Sequence, residues 1–161
     1  MYRKILLTLD GSDLSQQALP HAVELAKATA APLVVMQVTD SEAQLIVQTA
    51  GPTIEPMAAG HVSADIARDA VVAQRRDADA NLEAVRERIV AAGVTDVTTE
   101  VREGSAGAAI VEAAEELGCD LIVMATSGRS GLKRAVLGSV ADHVVRNSPD
   151  SAVLLVRATE E

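Results

Sequence analysis

The chain has 161 residues, 48% hydrophobic and 23% charged, which suits one domain over residues 1–161 with a full core and excludes a wholly disordered chain. Its 23 acidic against 14 basic residues, a formal net charge of -9, exclude a general nucleic-acid surface, which needs clustered excess cations. With one tyrosine, Tyr2, and neither phenylalanine nor tryptophan, base stacking on aromatic rings is excluded too, and a flat ligand ring must lie between aliphatic side chains.

The first element is "KILLTL" (Lys4 to Leu9), an apolar run read as a strand. After Gly11, Asp13 is placed to cap a helix with Gln16 in the reciprocal position. Leu14, Ala18, Ala22, Leu25 and Thr29 then share one face until Pro32 forbids continuation. "PLVVMQV" (Pro32 to Val38) is the second strand. The stretch from Thr39 to Val62, broken by Gly51, Pro52, Pro56 and Gly60, has no regular period and reads as a lid over the site or a mobile insertion.

A long helix follows from about Ser63 to Ala92, with Ile66, Ala70, Ala73, Asp77, Ala80 and Ala84 in alternating steps of four and three, closed by Gly93. "DVTTEV" (Asp96 to Val101) alternates polar and apolar residues, as an exposed edge strand does. Ser105 caps a third helix with Ile110, Ala114 and Leu117 inward and Gly118 at its end. "DLIVMA" (Asp120 to Ala125) is the fourth strand. A last helix starts at Ser139, carries Val140, Val144 and Val145, and ends before Pro149. "AVLLV" (Ala152 to Val156) is the fifth strand. All the strands except the third are nearly continuous hydrophobe, as strands covered on both faces should be.

Strands alternating with helices predict an α/β fold: a doubly wound, parallel, five-stranded sheet of order 3-2-1-4-5 with helices on both faces. Ligands of such sheets sit beyond the carboxyl ends of the strands, where the winding reverses, here between the first and fourth strands. Asp10 and Gly11 end the first of these. The fourth leads into "ATSGRSGLKRAVLGSV" (Ala125 to Val140), which holds Arg129, Lys133 and Arg134 among glycines and no acidic residue.

Two readings of that stretch compete, a surface loop with turn glycines or an anion cradle. Neither GxxxxGK[ST] nor GxGxxG occurs, and "EVREGS" after the third strand lacks the aspartate of a phosphorylated receiver. What remains is a loop whose glycines let backbone approach a ligand, followed by a helix N-terminus at Gly138 and Ser139 that favours phosphate. Arg129 and Ser127 offer further donors. Asp10 alternatively caps the Gly11 turn, Val38 and Met124 are alternatively plain core, and Lys133 and Arg134 read better as a solvated face. His21, His61 and His143 show no metal-ligand spacing, and Cys119, at the start of an apolar run, reads as a buried reduced thiol. No run approaches the roughly 18 apolar residues of a membrane span, and "MYRKILLTLDGS" lacks a secretory cleavage site, so a cytoplasmic chain without membrane insertion is expected.

The segment "LIVMATSGRSGLKRAVLGSVADHVVRNSPDSAVLLVR" closely resembles the universal stress protein family, as does "KILLTLDGSDLSQQALPHAVELA". The family motif is glycine, two residues, glycine, nine residues, then glycine with serine or threonine; Gly128, Arg129 to Leu137, Gly138 and Ser139 match its second half. The first motif glycine is Ala125 here, and Ser127 stands where the family often has histidine. The resemblance implies an adenine nucleotide alpha-hydrolase-like fold, a homodimer formed through the last strand and, in one subclass of the family, ATP at the crevice, with Mg2+ as a possible companion.

It further implies that Thr8, Leu9 and Asp10 flank the nucleotide, with Asp10 near ribose or a metal. Val38 and Met124 wall the adenine, and Gly128, Arg129, Gly138, Ser139 and Val140 hold the phosphates. An added methyl at Ala125 either crowds the ligand or is absorbed by a backbone shift. The function so implied is a nucleotide-binding regulatory or sensing protein that reports to a downstream protein. The alternatives are a slow ATP hydrolase using Asp10 and Mg2+, which needs a water-positioning group, and a nucleotide-free interaction protein.

Overall fold

In the computed structural model, which describes residues 1–49, 59–127 and 137–159, the five strands are β1 (Ile5–Leu9), β2 (Leu33–Thr39), β3 (Val97–Glu103), β4 (Leu121–Ser127) and β5 (Ala152–Ala158). They form one parallel sheet in the order β3-β2-β1-β4-β5. Side chains alternate across it. Ile5, Leu7, Leu33, Val35, Leu121 and Val123 enter one core beneath α2 (Leu19–Thr29) and α4 (Ala59–Ala91). Leu6, Val34, Met36, Ile122 and Met124 enter the other, beneath α5 (Ala106–Leu117) and α6 (Ser139–Asn147). Helices therefore cover both faces, as the sequence predicts.

All five residues of β1 are buried. β5, expected to be covered on both faces, keeps Val153 to Val156 only half-buried because no strand adjoins its outer side. β3 is the other edge, and its alternation is the legible sign of that position. Cys119 is 4% exposed, and burial pushes its thiol up to about 11, so it is an inert core group.

Three helix expectations are corrected. The segment after Gly11 is not one helix: α1 (Asp13–Gln16) stops, and α2 restarts at Leu19 with proline in its first turn. Pro20 has no N–H to continue the ladder, which is the physical cause. The cap of α1 is Ser12, whose Oγ accepts from the Ser15 N–H at 3.1 Å, and not Asp13. Part of the stretch read as irregular is helical: α3 (Glu42–Thr49) begins at a reciprocal Ser41/Gln44 cap, with the Ser41 N–H donating to Gln44 Oε1 at 2.8 Å.

The third correction concerns α4, which starts at Ala59, earlier than expected, and buries a different row. Ala67, Ala78, Leu82, Val85 and Ile89 face the core, whereas Ile66 is 56% exposed and Ala73, Asp77, Ala80 and Ala84 lie in solvent. Alanines stand on several faces of this helix, so their period does not decide which face docks.

Ala30 ends α2 in the left-handed conformation, φ 54° and ψ 32°, where a Cβ costs roughly 1–2 kcal/mol. Ala30→Gly is expected to raise stability by about 1 kcal/mol. A higher urea midpoint at unchanged slope is the expected reading, and an unchanged or lower midpoint contradicts it.

Candidate functional site

β1 and β4 are adjacent, and their neighbours β2 and β5 lie on opposite sides, so the chain's winding reverses between them. Beyond their carboxyl ends lies a cleft of about 480 Å³. Of the residues proposed from sequence, it gathers Thr8, Leu9, Asp10, Val38, Met124, Ala125, Gly138, Ser139 and Val140. Ser127 is the last residue of β4. Gly128 and Arg129 lie outside the described residues, as do Lys133 and Arg134.

The first turn is held by a small closed network. The Ser12 N–H and Oγ–H both donate to Asp10 Oδ1, at 2.9 and 2.5 Å. Ser15 Oγ accepts from the Asp10 N–H at 3.3 Å and donates to the Ser12 carbonyl at 2.7 Å. Gly11, with φ 81°, supplies the left-handed residue this turn requires. Partial burial pushes the Asp10 carboxyl up, but the hydrogen bonds from the Ser12 hydroxyl and amide, helped by Ser15, outweigh it and hold it below its ordinary value. Asp10 is thus an ionised carboxylate with one oxygen committed to the turn. Asp10 thus caps the turn, one of the two roles set out for it from sequence, and it also lines the cleft.

The opposite wall is the start of α6. Gly138, its N-cap, contributes no side-chain bond, and Ser139, Val140 and Ala141 of the first turn line the cleft. Among the described residues nothing outside the helix bonds the first-turn N–H groups, and with the helix dipole they make this wall electropositive. Gly138 has φ -60° and ψ 154°, open to any residue, and a Cβ there would meet nothing within 4 Å among the described atoms. Neither backbone strain nor packing among them requires glycine.

Leu9 is buried in the cluster beneath α2 and α4, and Ala125, partly buried, packs against it; both also line the cleft. Val38 and Met124 pack with the opposite cluster, the core role considered for them, and also line the cleft. Sequence reasoning missed Ser12, Leu14, Ser15, Ala106, Ile110, Thr126 and Ala141 as lining residues. Ser12 was within reach of it, since a serine two residues after a strand-end aspartate is an Asx-turn signal. Ala106 and Ile110 come from α5, and only tertiary packing brings that helix here.

Among the described lining residues Asp10 is the one carboxylate, and none is lysine or arginine. The cleft thus combines an apolar half, a hydroxyl-rich rim and a helix N-terminus. The universal stress protein family model matches residues 1–157. The chain belongs to the universal stress protein family.

Relatives agree along its whole length. A universal stress protein of Methanocaldococcus jannaschii is 32% identical over 161 residues, covering 100% of this chain and 86% of that protein. A solved universal stress protein in complex with cAMP is similar at TM-score 0.67 and 26% identity, covering 98% of each chain. One from Lactobacillus plantarum reaches TM-score 0.70 at 25% identity, covering 97% of this chain and 98% of that one. Like the sheet order, the family expected from sequence is confirmed. No described helix of this universal stress protein is long and apolar enough to cross a membrane.

Proposed function

We propose that this universal stress protein binds an adenine nucleotide in the cleft between β1 and β4 and acts as a nucleotide-responsive regulator. The observation that carries the reading is the juxtaposition of the α6 N-terminus, without a side-chain cap, with Asp10 and an apolar pocket in one cleft. Phosphate suits a helix N-terminus, and sugar hydroxyls suit an ionised carboxylate. A flat base suits aliphatic walls. The relative solved with cAMP supports the same ligand class. The glycine-rich stretch from Ala125 to Ser139 in the sequence favours ATP within that class. Binding regulates by shifting the protein toward whichever of its forms has the higher affinity for the nucleotide.

Direct extraction tests this. Protein purified without dialysis, denatured and analysed by mass spectrometry is expected to release an adenine nucleotide, and calorimetry on the stripped protein is expected to show binding of AMP, cAMP or ATP. No nucleotide in the extract together with no heat from any of the three overturns the reading.

The second part of the proposal is a homodimer through β5. The two sheet edges differ: β3 carries Glu100, Arg102 and Glu103 with ion pairs Arg102–Glu100 at 3.0 Å and Arg102–Glu116 at 2.6 Å, whereas β5 presents half-buried aliphatic residues. Charged edges resist pairing, and an apolar edge invites a second copy across a two-fold axis. Light scattering over a concentration series is expected to give twice the mass of one chain; a single-chain mass throughout contradicts it.

A further inference from the structure

Thr8 stands apart from the other polar groups of the cleft. It projects to the face of β1 that carries Leu6, toward the core beneath α5 and α6, because side chains two apart share a face. Its partners in register are Met36 on β2 and Met124 on β4. Both are buried, so on its own face of the sheet Thr8 is flanked by two thioether residues in apolar surroundings. Thr8 is only 7% exposed, and no hydrogen bond to its Oγ1 is formed by any described residue. By contrast, Thr39 and Ser15, equally buried, have bonded hydroxyls.

A buried hydroxyl without a partner is unfavourable, and native structures rarely keep one unsatisfied. The Thr8 hydroxyl is not sealed away: among the described residues the enclosed unpartnered side-chain oxygen is Ser148 Oγ, and Thr8 lines the cleft. What occupies the cleft is therefore what satisfies it. Thr8 lies one same-face step, about 7 Å, below Asp10 along β1. Of the polar lining groups, Asp10 and Ser139 are exposed and Ser12 half-buried, whereas Met124, Val38 and Ile110 line the cleft from the apolar cluster on the same face as Thr8. A nucleobase has apolar faces and a polar edge, which matches aliphatic walls interrupted by one hydroxyl able to donate and accept.

We propose that Thr8 is a base-recognition residue whose hydroxyl bonds the polar edge of the nucleobase at the floor of the cleft. This rests on the nucleotide reading above. The test is calorimetric titration of AMP into the stripped wild-type chain and into Thr8→Val, Thr8→Ala and Thr8→Ser, with ribose 5-phosphate, the same sugar phosphate lacking a base, measured as a competitor. Thr8→Val and Thr8→Ala are expected to weaken AMP about tenfold, as loss of one buried hydrogen bond does. Thr8→Ser is expected to keep wild-type affinity, and ribose 5-phosphate to compete equally with all four chains.

AMP affinity within twofold of wild type in Thr8→Val and Thr8→Ala overturns the proposal and leaves the nucleotide reading standing. Equal losses for AMP and ribose 5-phosphate overturn it as well, because the hydroxyl then does not read the base. A wild-type chain that binds no adenine nucleotide ends both.

Discussion

Gly138→Val is expected to lower nucleotide affinity at least about 100-fold while the chain still folds. The backbone at Gly138 is extended, φ -60° and ψ 154°, so valine adopts it without left-handed strain, and its Cβ meets no described atom within 4 Å. The folding cost is confined to a poorer helix cap, about 1 kcal/mol. The cost in binding is larger, because a branched side chain then occupies the mouth of the α6 N-terminus, where a phosphate must come within hydrogen-bond distance of main-chain N–H groups. A hundredfold loss corresponds to about 2.8 kcal/mol.

Gly138→Asp separates the two effects further. A carboxylate at the N-cap bonds first-turn N–H groups and complements the helix dipole, so stability is expected to rise by a few tenths of a kcal/mol, while the same negative charge repels phosphate. Thermal melting and calorimetry, run on all three chains, are expected to move in opposite directions for Gly138→Asp. Nucleotide affinity unchanged in both variants contradicts an anion site at this helix.

Ile122→Ala is expected to cost about 2–5 kcal/mol of stability. Ile122 is fully buried on β4, in register with Leu6 on β1 and Val153 on β5, beneath α5 and α6. Sheet and helices hold it from every side, so the surroundings relax little into the space that a smaller residue leaves. Against a total of about 5–15 kcal/mol, this is a large share, and the urea midpoint is expected to fall accordingly. Val153→Ala, its in-register neighbour on the half-buried edge strand, removes less buried surface and is expected to cost about 1 kcal/mol. Equal losses in the two variants would show that β4 is not the closed centre of this core.

Helix ends were legible wherever local chemistry decides them. Gly118 ends α5 in the left-handed conformation, and α6 begins at Ser139. The capping pair Ser41 and Gln44 was equally visible, and α3 was overlooked because the prolines and glycines downstream of it drew the whole stretch into one irregular reading. Pro20 likewise carried the information that divides α1 from α2. Both signals are short-range and lie in the sequence itself.

Strand patterning, the glycine-serine stretch and the family resemblance determined, from sequence alone, the α/β class, the strand order and the end of the sheet at which a ligand site belongs. Apolar runs and caps act over a few residues, and parallel strands joined by helices leave few arrangements open. Tertiary structure alone decided which row of α4 is buried, that α5 brings Ile110 to the cleft, that Ala125 packs against the core beneath α2 and α4, and that Thr8 stands between two buried methionines with no hydroxyl partner among the described residues. Each depends on which surfaces meet after folding, and the side chains involved carry no local preference strong enough to announce it.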